Sequence, residues 1–543
     1  MRKQTKIAAV VSAAALLALG ASITSFAASK GTWMLVDGEW YCYDKNGDVY
    51  ENTFCSSNGK EYYVGDDGMI VKSDWVEYDG SYYFVNSSGA KITNDWRLTT
   101  PYDDEDAEEA WYYFQSTGKR AENKKIVYKG KTYFFDADGK MLTGWVTANG
   151  TEVVNEENNI DADDTYYCGE DGARLADAWV YTTEPTAEDD EADADEYYYY
   201  LKPGSGNPVV NKKRNNVKGQ SYIFDEEGRM LWGWVAKTAS GSSAVYEKID
   251  EEEDTDTVLA DDAYEEVYYC SAEDDGHVKK NRWIKTWRPK DTYEEDEDED
   301  KFWYWIEKDG KVYLPENTAS GSNAVAFKYA LEEGKLVIKN SGNSYNVTKK
   351  KISSKDYFFN ENGEMLNNFL QVTTGNADLA VGMYYFGGSD DGSMKTGSQT
   401  VKDDNGDSYK FYFGTRTATK DLEVKGVGIT GNKSNKLYYH GMLIKAEDYK
   451  YQLVDVDGIN YIVNQNGSVQ HSKSEYKEDG DVLVDAKAAT FVSTNADIEA
   501  AGGTPFKYSV TGVTTNNAET IIASDVVYDY AGNATNLPAL GAK

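Results

Sequence analysis

The stretch "GKTYFFDADGKMLTGW" at residues 130–145 combines an aromatic run, a turn sequence and a tryptophan. An aromatic run, Tyr133 to Phe135, is followed by Asp-x-x-Gly and then, six residues after Gly139, by Trp145. Short aromatic runs favour β-strands, and Asp-x-x-Gly is typical of a turn. The stretch therefore predicts a β-hairpin, and the similar stretch "GQSYIFDEEGRMLWGW" at 219–234 predicts another.

The distance from the turn glycine to the next tryptophan takes two values along the chain. It is six residues for Gly139 and Gly228, and seven for the glycines that precede Trp96, Trp179 and Trp283. The two spacings alternate from Trp96 onward, so the repeating unit is a pair of hairpins. A lone hairpin is marginal in water, but stacked hairpins bury their aromatic faces against one another.

These repeats predict an all-β fold. We expect a solenoid of stacked β-hairpin repeats, with long acidic loop insertions and a small C-terminal β appendage or tail. The first 27 residues have a basic start, a short apolar run and small residues before Ala27, which predicts a secretory signal peptide. The expected segments are the signal peptide at 1–27, the aromatic repeat array at 28–369, degenerate repeats at 370–484 and the appendage or flexible tail at 485–543.

The charge balance limits the partners. The chain has 93 acidic and 56 basic residues and a formal net charge of −37, which argues against nucleic acid as a ligand. Acidic inserts such as "PYDDEDAEEA" follow the tryptophan and precede the next aromatic doublet. They predict solvated loops, with weak association of divalent cations as an alternative, although none has the spacing of a calcium-binding loop. No metal site, cofactor or membrane insertion is predicted.

Three of the four cysteines occupy one repeat position. Cys42, Cys168 and Cys270 end the phrases "WYC", "YYC" and "YYC", where other repeats have Phe. Cysteine in such a position is expected to behave as a small apolar residue. A disulfide between Cys42 and Cys55 is left open as an alternative.

The sequence predicts no enzymatic activity. The histidines His277, His440 and His471 lie far apart, and no Ser-His-Asp pattern, zinc-ligand spacing or phosphate-binding loop is present. The many carboxylates leave a glycosidase pair as an open alternative.

The repeats resemble the cell wall-binding repeats of Gram-positive surface proteins, which are also called choline-binding or glucan-binding repeats. Their hallmark is roughly Gly-x-Trp-Tyr-Tyr-Phe-x-x-x-Gly-x-Met-x-x-Gly-Trp, and residues 130–145 and 219–234 are the best matches. The resemblance implies a non-catalytic, secreted protein of the cell surface that attaches to a cell-wall polymer bearing choline. An extracellular glucan-binding or other carbohydrate-binding module is the alternative.

The resemblance also implies ligand sites made of aromatic side chains. In choline-binding members, a cage is formed by the tryptophan and by aromatic residues of the doublet and of the following hairpin, which suits a quaternary ammonium held by cation–π attraction. Transferred by position, the candidate residues are Trp75 with Tyr82 and Tyr83, Trp96 with Trp111 and Tyr112, Trp145 with Tyr166, Trp179 with Tyr197, Trp234 with Tyr268, and Trp283 with Trp303. For each tryptophan, a purely structural role in the core is the competing interpretation.

Overall fold

The structure is a computed structural model of the 543-residue chain. It describes residues 31–147, 165–185, 195–238, 244–249, 264–288, 301–315, 324–339, 342–415, 423–493, 507–516 and 518–529. The chain divides into two compact units, Met1–Met230 and Leu231–Lys543. The predicted signal peptide and most of the acidic inserts lie outside the described residues.

The first unit is built from two-stranded antiparallel hairpins, each made of consecutive strands. Its strands are β1 (Thr32–Val36), β2 (Glu39–Tyr43), β3 (Thr53–Ser57), β4 (Lys60–Val64), β5 (Asp74–Tyr78), β6 (Ser81–Val85), β7 (Asp95–Thr99), β8 (Ala110–Phe114), β9 (Lys124–Tyr128), β10 (Lys131–Phe135), β11 (Gly144–Thr147), β12 (Thr165–Cys168), β13 (Ala178–Thr183), β14 (Glu196–Leu201), β15 (Lys212–Val217) and β16 (Gln220–Phe224). The predicted all-β fold of hairpin repeats is confirmed.

One detail of the prediction was wrong. The tryptophan lies on the first strand of a hairpin and the aromatic doublet on the second, so the connection between them is either an acidic insert or a two-residue turn such as Asp79-Gly80. Both residues of that turn have positive φ, 50° and 63°, as a tight hairpin turn requires. The Asp-x-x-Gly sequence instead links one hairpin to the next: the Lys140 N–H donates to Asp136 Oδ1 at 2.7 Å.

A recurring backbone hydrogen bond joins consecutive hairpins. We call the glycine that ends each link, such as Gly139, the linking glycine, and we call the contact between consecutive hairpins a junction. The amide N–H of the second residue after the linking glycine donates to a carbonyl on the second strand of the preceding hairpin. Examples are Arg120 to Tyr82, Met141 to Trp111 and Met230 to Tyr198, each at 2.8 Å. This bond fixes how far each hairpin lies from the last, and so places the side chain of that second residue at every junction.

The second unit has larger sheets. Its elements are β17 (Trp234–Thr238), β18 (Tyr246–Lys248), β19 (Tyr264–Tyr269), β20 (Arg282–Thr286), β21 (Phe302–Ile306), β22 (Ala324–Glu332), β23 (Lys335–Ile338), β24 (Ser344–Ile352), β25 (Lys355–Phe359), β26 (Phe369–Thr374), β27 (Gly382–Tyr385), β28 (Gly397–Lys402), β29 (Ser408–Phe413), β30 (Gly431–Lys433), β31 (Lys436–Tyr439), β32 (Met442–Ile444), β33 (Tyr451–Val456), β34 (Ile459–Asn464), β35 (Val469–Gln470), β36 (Glu475–Glu478), β37 (Asp481–Asp485), β38 (Thr490–Phe491), β39 (Val510–Thr511), β40 (Thr514–Thr515), β41 (Ile521–Ile522) and the helix α1 (Ala523–Val527).

Strands β22 to β27 form a six-stranded sheet, and β28 to β32 form a five-stranded one. The segment after Asp485 is joined to these sheets in its described part. β41 pairs in parallel with β33, and β40 pairs with β37. Val527 and Tyr528 are buried in the same cluster as Tyr329 and Phe411. The compact units therefore do not coincide with the boundaries predicted at 369 and 484, which stay a prediction from the repeats.

The cysteines are all buried. Cys168 packs with Phe134 and Val146, as expected for a small apolar residue. The thiols of Cys42 and Cys55 hydrogen-bond each other, and this contact together with burial raises the pKa of Cys42. No disulfide is present among the described residues. The described chain also contains no helix of the length and apolarity needed to cross a bilayer.

Candidate aromatic cages

The register of each hairpin decides which aromatic side chains meet. Trp96 pairs with Tyr113, Trp179 with Tyr200 and Trp283 with Trp305 across their hairpins. Because side chains alternate between the faces of a strand, the residue two positions before the paired aromatic shares the tryptophan's face, whereas the residue one position before it points away. This alternation selects Trp111, Tyr198 and Trp303 as neighbours of the three tryptophans.

Three tryptophans form a closed class. The indole N–H of Trp75 donates to the Thr100 carbonyl at 2.8 Å, that of Trp145 to Thr183 at 3.1 Å and that of Trp234 to Trp287 at 3.0 Å. Each ring also meets a tyrosine of the following hairpin edge to face, with centroids about 5 Å apart. These tyrosines, Tyr112, Tyr199 and Tyr304, are fully buried.

Burial dominates the electrostatics of the closed class. It raises the pKa of Tyr112 to about 12 and raises the pKa of Tyr199 further still. Trp145 and Trp234 are themselves only 8% and 3% exposed. Trp145 and Trp234 are therefore core residues, whereas Trp75 is only partly buried and its ring also faces the Arg120 guanidinium at 5.5 Å.

The other three tryptophans form an open class. Trp96 contacts Tyr133 with ring centroids 4.8 Å apart, Trp179 contacts Tyr222 at 4.7 Å, and Trp283 contacts Tyr357 at 4.9 Å. None of these three indoles donates to a protein acceptor among the described residues. A methionine follows the linking glycine by two residues at each of these junctions. We define three cages: cage 1 is Trp96, Trp111, Tyr133 and Met141; cage 2 is Trp179, Tyr198, Tyr222 and Met230; cage 3 is Trp283, Trp303, Tyr357 and Met365.

Cages 1 and 3 share one ring geometry. Trp96 and Trp111 have centroids 6.5 Å apart with planes at 83°, and Trp283 and Trp303 have centroids 6.5 Å apart at 87°. The methionine amide in each cage donates to the carbonyl of Trp111, Tyr198 or Trp303 at 2.8 Å. Cages 1 and 3 therefore present two ring walls at nearly right angles, whereas in cage 2 the corresponding Tyr198 packs against Tyr181 at 4.6 Å. Each cage also has a ring from the next hairpin and a polarisable thioether.

Cage 3 opens onto a cavity of about 760 Å³. The cavity is lined by the four cage residues and by Lys355, Gly388, Ser389, Asp390 and Asp391. The Trp303 indole N–H donates to Asp390 Oδ1 at 3.1 Å, and the Lys285 ammonium lies 2.9 Å from the same oxygen. The hydrogen bonds from Lys285 and Trp303 lower the pKa of Asp390, so this carboxylate is ionised at neutral pH.

The structure brings together some of the predicted site residues. Trp96 meets Trp111, and Trp283 meets Trp303, as predicted. Trp75 shares a face with Tyr82, since Tyr82 lies two residues before its partner Phe84. Tyr83 and Tyr112 lie one residue before the partners of Trp75 and Trp96, so both point away from those rings.

The remaining predicted pairings are corrected by the register. Trp145 contacts Tyr167 and Tyr199, whereas Tyr166 stacks on Phe134 at 5.4 Å. Tyr197 lies beneath the Arg229 guanidinium, 5.2 Å from the ring centroid, while Trp179 meets other tyrosines. Tyr268 faces away from Trp234 and hydrogen-bonds Glu266. In each case the predicted tyrosine lies one or three residues from the tyrosine that is paired with the tryptophan. Its side chain therefore points to the opposite face of the strand.

Several cage residues were not predicted from the sequence: Tyr133, Met141, Tyr198, Tyr222, Met230, Tyr357 and Met365. The methionine two residues after the turn glycine is a sequence signal for Met141, Met230 and Met365, whereas the tyrosines follow only once the pairing register is known. Trp33 of the first hairpin was likewise not among the predicted site residues. Its Trp33 contacts Tyr62 at 5.6 Å, but the indole is bonded to the Ser56 carbonyl as in the closed class.

Metal binding receives no support from the described residues. They contain no group of three or more His, Cys, Asp or Glu side chains arranged to hold an ion. The acidic insert at 101–110 is described, whereas most of the others are not.

Comparison with known proteins agrees with the resemblance noted in the repeats. A scan against models of protein families finds no match. The glucosyltransferase-S of Streptococcus mutans serotype c is 28% identical to the chain over 271 residues, which is 50% of this chain and 14% of that protein. The chain thus spans only about a seventh of the length of the curated relative it matches.

Similar solved structures include two proteins of Streptococcus pneumoniae. The modular autolysin LytC is 16% identical, with 62% of this chain and 52% of that chain covered and a TM-score of 0.32. Choline-binding protein F is 18% identical, with 77% of this chain and 98% of that chain covered and a TM-score of 0.27. The proteins to which this chain is similar thus include a choline-binding protein and a glucosyltransferase.

Proposed function

We propose that this protein is a secreted, non-catalytic surface-binding protein that attaches to a cell-wall polymer bearing choline through cages 1, 2 and 3. The observation that carries the proposal is the threefold recurrence of one set of residues: a tryptophan, an aromatic residue two positions before its cross-strand partner, a tyrosine of the next hairpin and a methionine. In cage 3 these residues line a cavity. At the closed junctions of Trp145 and Trp234, Thr165 and Val267 occupy the position of that aromatic residue.

The chemistry of the cages suits a quaternary ammonium. Such a cation has no N–H to donate, so aromatic faces and a polarisable sulfur are its natural neighbours. A cation–π contact contributes about 0.5–1 kcal/mol at an exposed site and about 2 kcal/mol when desolvated. Three rings in one cage therefore support weak but selective binding.

Several weak sites can still hold the protein on a polymer. Once one cage is occupied, the neighbouring ligands on the same polymer are present at a high effective concentration. Cages 1 and 2 belong to the first unit and cage 3 to the second. A chain with three cages is thus suited to retention on a repeating polymer rather than to capture of a single small molecule.

Glucan binding is the second candidate, because the chain is similar to a glucosyltransferase. The half-exposed Trp111 ring, with 44% of its surface accessible, offers a flat face on which a sugar ring could stack. In this case the ligand would lie against the outside of the ring rather than inside the cage.

Titration of the full chain distinguishes the two candidates. We expect choline and tetramethylammonium to change tryptophan emission and to compete with each other, and dextran to leave the emission unchanged. In Trp303→Ala the response at cage 3 should be lost, whereas Tyr102→Ala, an exposed aromatic outside the cages, serves as the control. Binding of dextran without competition by choline would support the glucan alternative, and binding of neither ligand would refute both.

A further inference from the structure

The residue two positions after the linking glycine differs between junctions. It is a methionine in cages 1, 2 and 3, but it is a cation at three other junctions: Lys91, Arg120 and Arg174. Its backbone has the same place in every case, because its amide donates to the preceding hairpin at 2.7–2.8 Å. Only the side chain entering the junction changes.

Arg120 lies inside an aromatic cage of its own. Its guanidinium carbon is 4.4 Å from the ring centroid of Tyr82, 5.5 Å from that of Trp75 and 5.9 Å from that of Tyr112. Trp75, Tyr82 and Tyr112, which we call the Trp75 cage, correspond by position to Trp96, Trp111 and Tyr133 of cage 1.

The guanidinium is enclosed rather than merely adjacent. Arg120 is only 9% exposed, and its Nε donates to Glu122 at 2.9 Å. A Cβ on Gly139 would come within 2.5 Å of Arg120 Cδ, so the next linking turn lies directly against this side chain. The guanidinium thus occupies the space against these three rings.

A second junction repeats the arrangement with a lysine. The Lys91 ammonium lies 4.9 Å from the ring centroid of Phe54 and 5.4 Å from that of Tyr83, and it forms an ion pair with Glu61. Glu61 occupies the strand position that Trp111 has in cage 1. The third junction is weaker, since Arg174 has one ring, Tyr166, at 5.3 Å.

We propose that Arg120 is a built-in ligand of the Trp75 cage, and that the residue two positions after the linking glycine determines whether a junction binds an external cation. Methionine leaves the cage available, whereas arginine or lysine occupies it. The position of Arg120 stands on its own geometry, and only the identity of the external ligand rests on the proposed function.

Exchange of the two residue types tests the inference in the full chain. Arg120→Met should bind one more equivalent of tetramethylammonium than the wild type, and Met141→Arg should bind one equivalent fewer. Lys119→Met, which removes an exposed cation next to Arg120, should bind as the wild type does. If both exchanges fold with an unchanged melting temperature and bind the wild-type number of equivalents, the inference is overturned.

A second measurement does not depend on any ligand. The denaturant midpoints of Arg120→Met, Tyr82→Leu and the double variant form a double-mutant cycle. If the guanidinium contacts the Tyr82 ring, the double variant should lose less stability than the sum of the losses in the two single variants. If the wild type binds no cation but the cycle is non-additive, the proposed function fails and the position of Arg120 stands. Strictly additive losses would overturn the inference itself.

Discussion

Trp145 and Trp96 occupy the same strand position in their hairpins but have different surroundings. The Trp145 indole donates to the Thr183 carbonyl, and its ring is covered by the buried Tyr199. The Trp96 ring meets Tyr133, which is partly exposed, and packs beside Met141. Residue type alone therefore does not decide the role of a tryptophan here, since its neighbours in the next hairpin do.

Replacing a closed tryptophan should affect stability and not binding. Trp145→Phe removes one partly buried hydrogen bond and leaves a carbonyl to be satisfied, which costs about 1 kcal/mol of the free energy of unfolding. Urea unfolding followed by fluorescence measures this loss. The number of choline equivalents bound by the folded variant should not change, and a lost equivalent would show that Trp145 contacts ligand.

Replacing an open aromatic should have the opposite effect. Trp111→Ala removes a half-exposed ring, so the melting temperature should change little. The affinity of cage 1 for choline should fall about 5- to 30-fold, which corresponds to a contact of about 1–2 kcal/mol. Equilibrium dialysis checks the affinity, and a drop in stability without a change in binding would contradict the assignment of cage 1.

His440 should make stability depend on pH. Burial lowers the pKa of its imidazole to about 4 from the ordinary 6.5, against the opposing charge of Asp457. Its Nδ1 lies 2.5 Å from the Tyr528 hydroxyl, and the ring stacks on Tyr439. As the pH falls, the unfolded chain takes up this proton before the folded chain does. The contribution of neutral His440 to the free energy of unfolding is therefore complete above pH 6.5 and is lost as the pH falls towards 4.

Over that window the free energy of unfolding should fall by up to about 1.4 kcal/mol per pH unit, which corresponds to the uptake of one proton. Other carboxylates also titrate, so the comparison is with His440→Asn, because asparagine tolerates the positive φ of 46° at this position. Denaturant unfolding between pH 4 and 7 should show a shallower decline for the variant. Parallel declines would mean that His440 is not buried in its neutral form.

At the scale of the hairpin, the linking glycines have two requirements. Gly139 has a φ of 73°, and a Cβ there would strike the Arg120 side chain. Gly130, in the tight turn of the same hairpin, has a φ of 82° but open space around it. Positive φ and close packing are thus separable within one repeat.

Gly139→Ala should therefore destabilise the protein more than Gly130→Ala. Both substitutions incur the cost of positive φ for a residue with a Cβ, about 1 kcal/mol, and only the first also displaces a packed side chain. The difference in the free energy of unfolding, measured with urea, should be about 1–3 kcal/mol, as for overpacking. Equal losses would argue against close packing at the junction.

Much of the hairpin architecture could be predicted from the sequence. The aromatic runs and the alternating six- and seven-residue spacings from glycine to tryptophan all reflect local structure. The pairing register could not be predicted, because the tight turn and the Asp-x-x-Gly link are both acceptable turn sequences. Which of the two sequences forms the hairpin turn determines whether Tyr82 or Tyr83 faces Trp75, and hence which residues form a cage.

For the whole molecule, the local patterns become less informative after Phe369. The parallel pairing of β41 with β33 joins residues far apart in sequence, and Tyr528 packs on Tyr329 at 5.8 Å. No periodicity within a short window encodes such contacts. The predicted tail is therefore tied, in its described part, to the core of the second unit.

Multivalent attachment predicts a steep response to the loss of cages. On a choline resin, Trp111→Ala or Trp303→Ala alone should elute at a somewhat lower choline concentration than the wild type. The double variant should elute far earlier, because each lost cage removes one intramolecular binding step. Elution of the double variant together with the single variants would contradict multivalent binding.

Three open cages lie among the described residues, and the junctions of Trp75, Trp145 and Trp234 are closed in the wild type. The most direct test is to count the bound equivalents of labelled choline on the full chain by equilibrium dialysis at saturation. We expect three equivalents, falling to two in Trp303→Ala. No bound choline, or additional equivalents at the junctions of Trp75, Trp145 and Trp234, would contradict it.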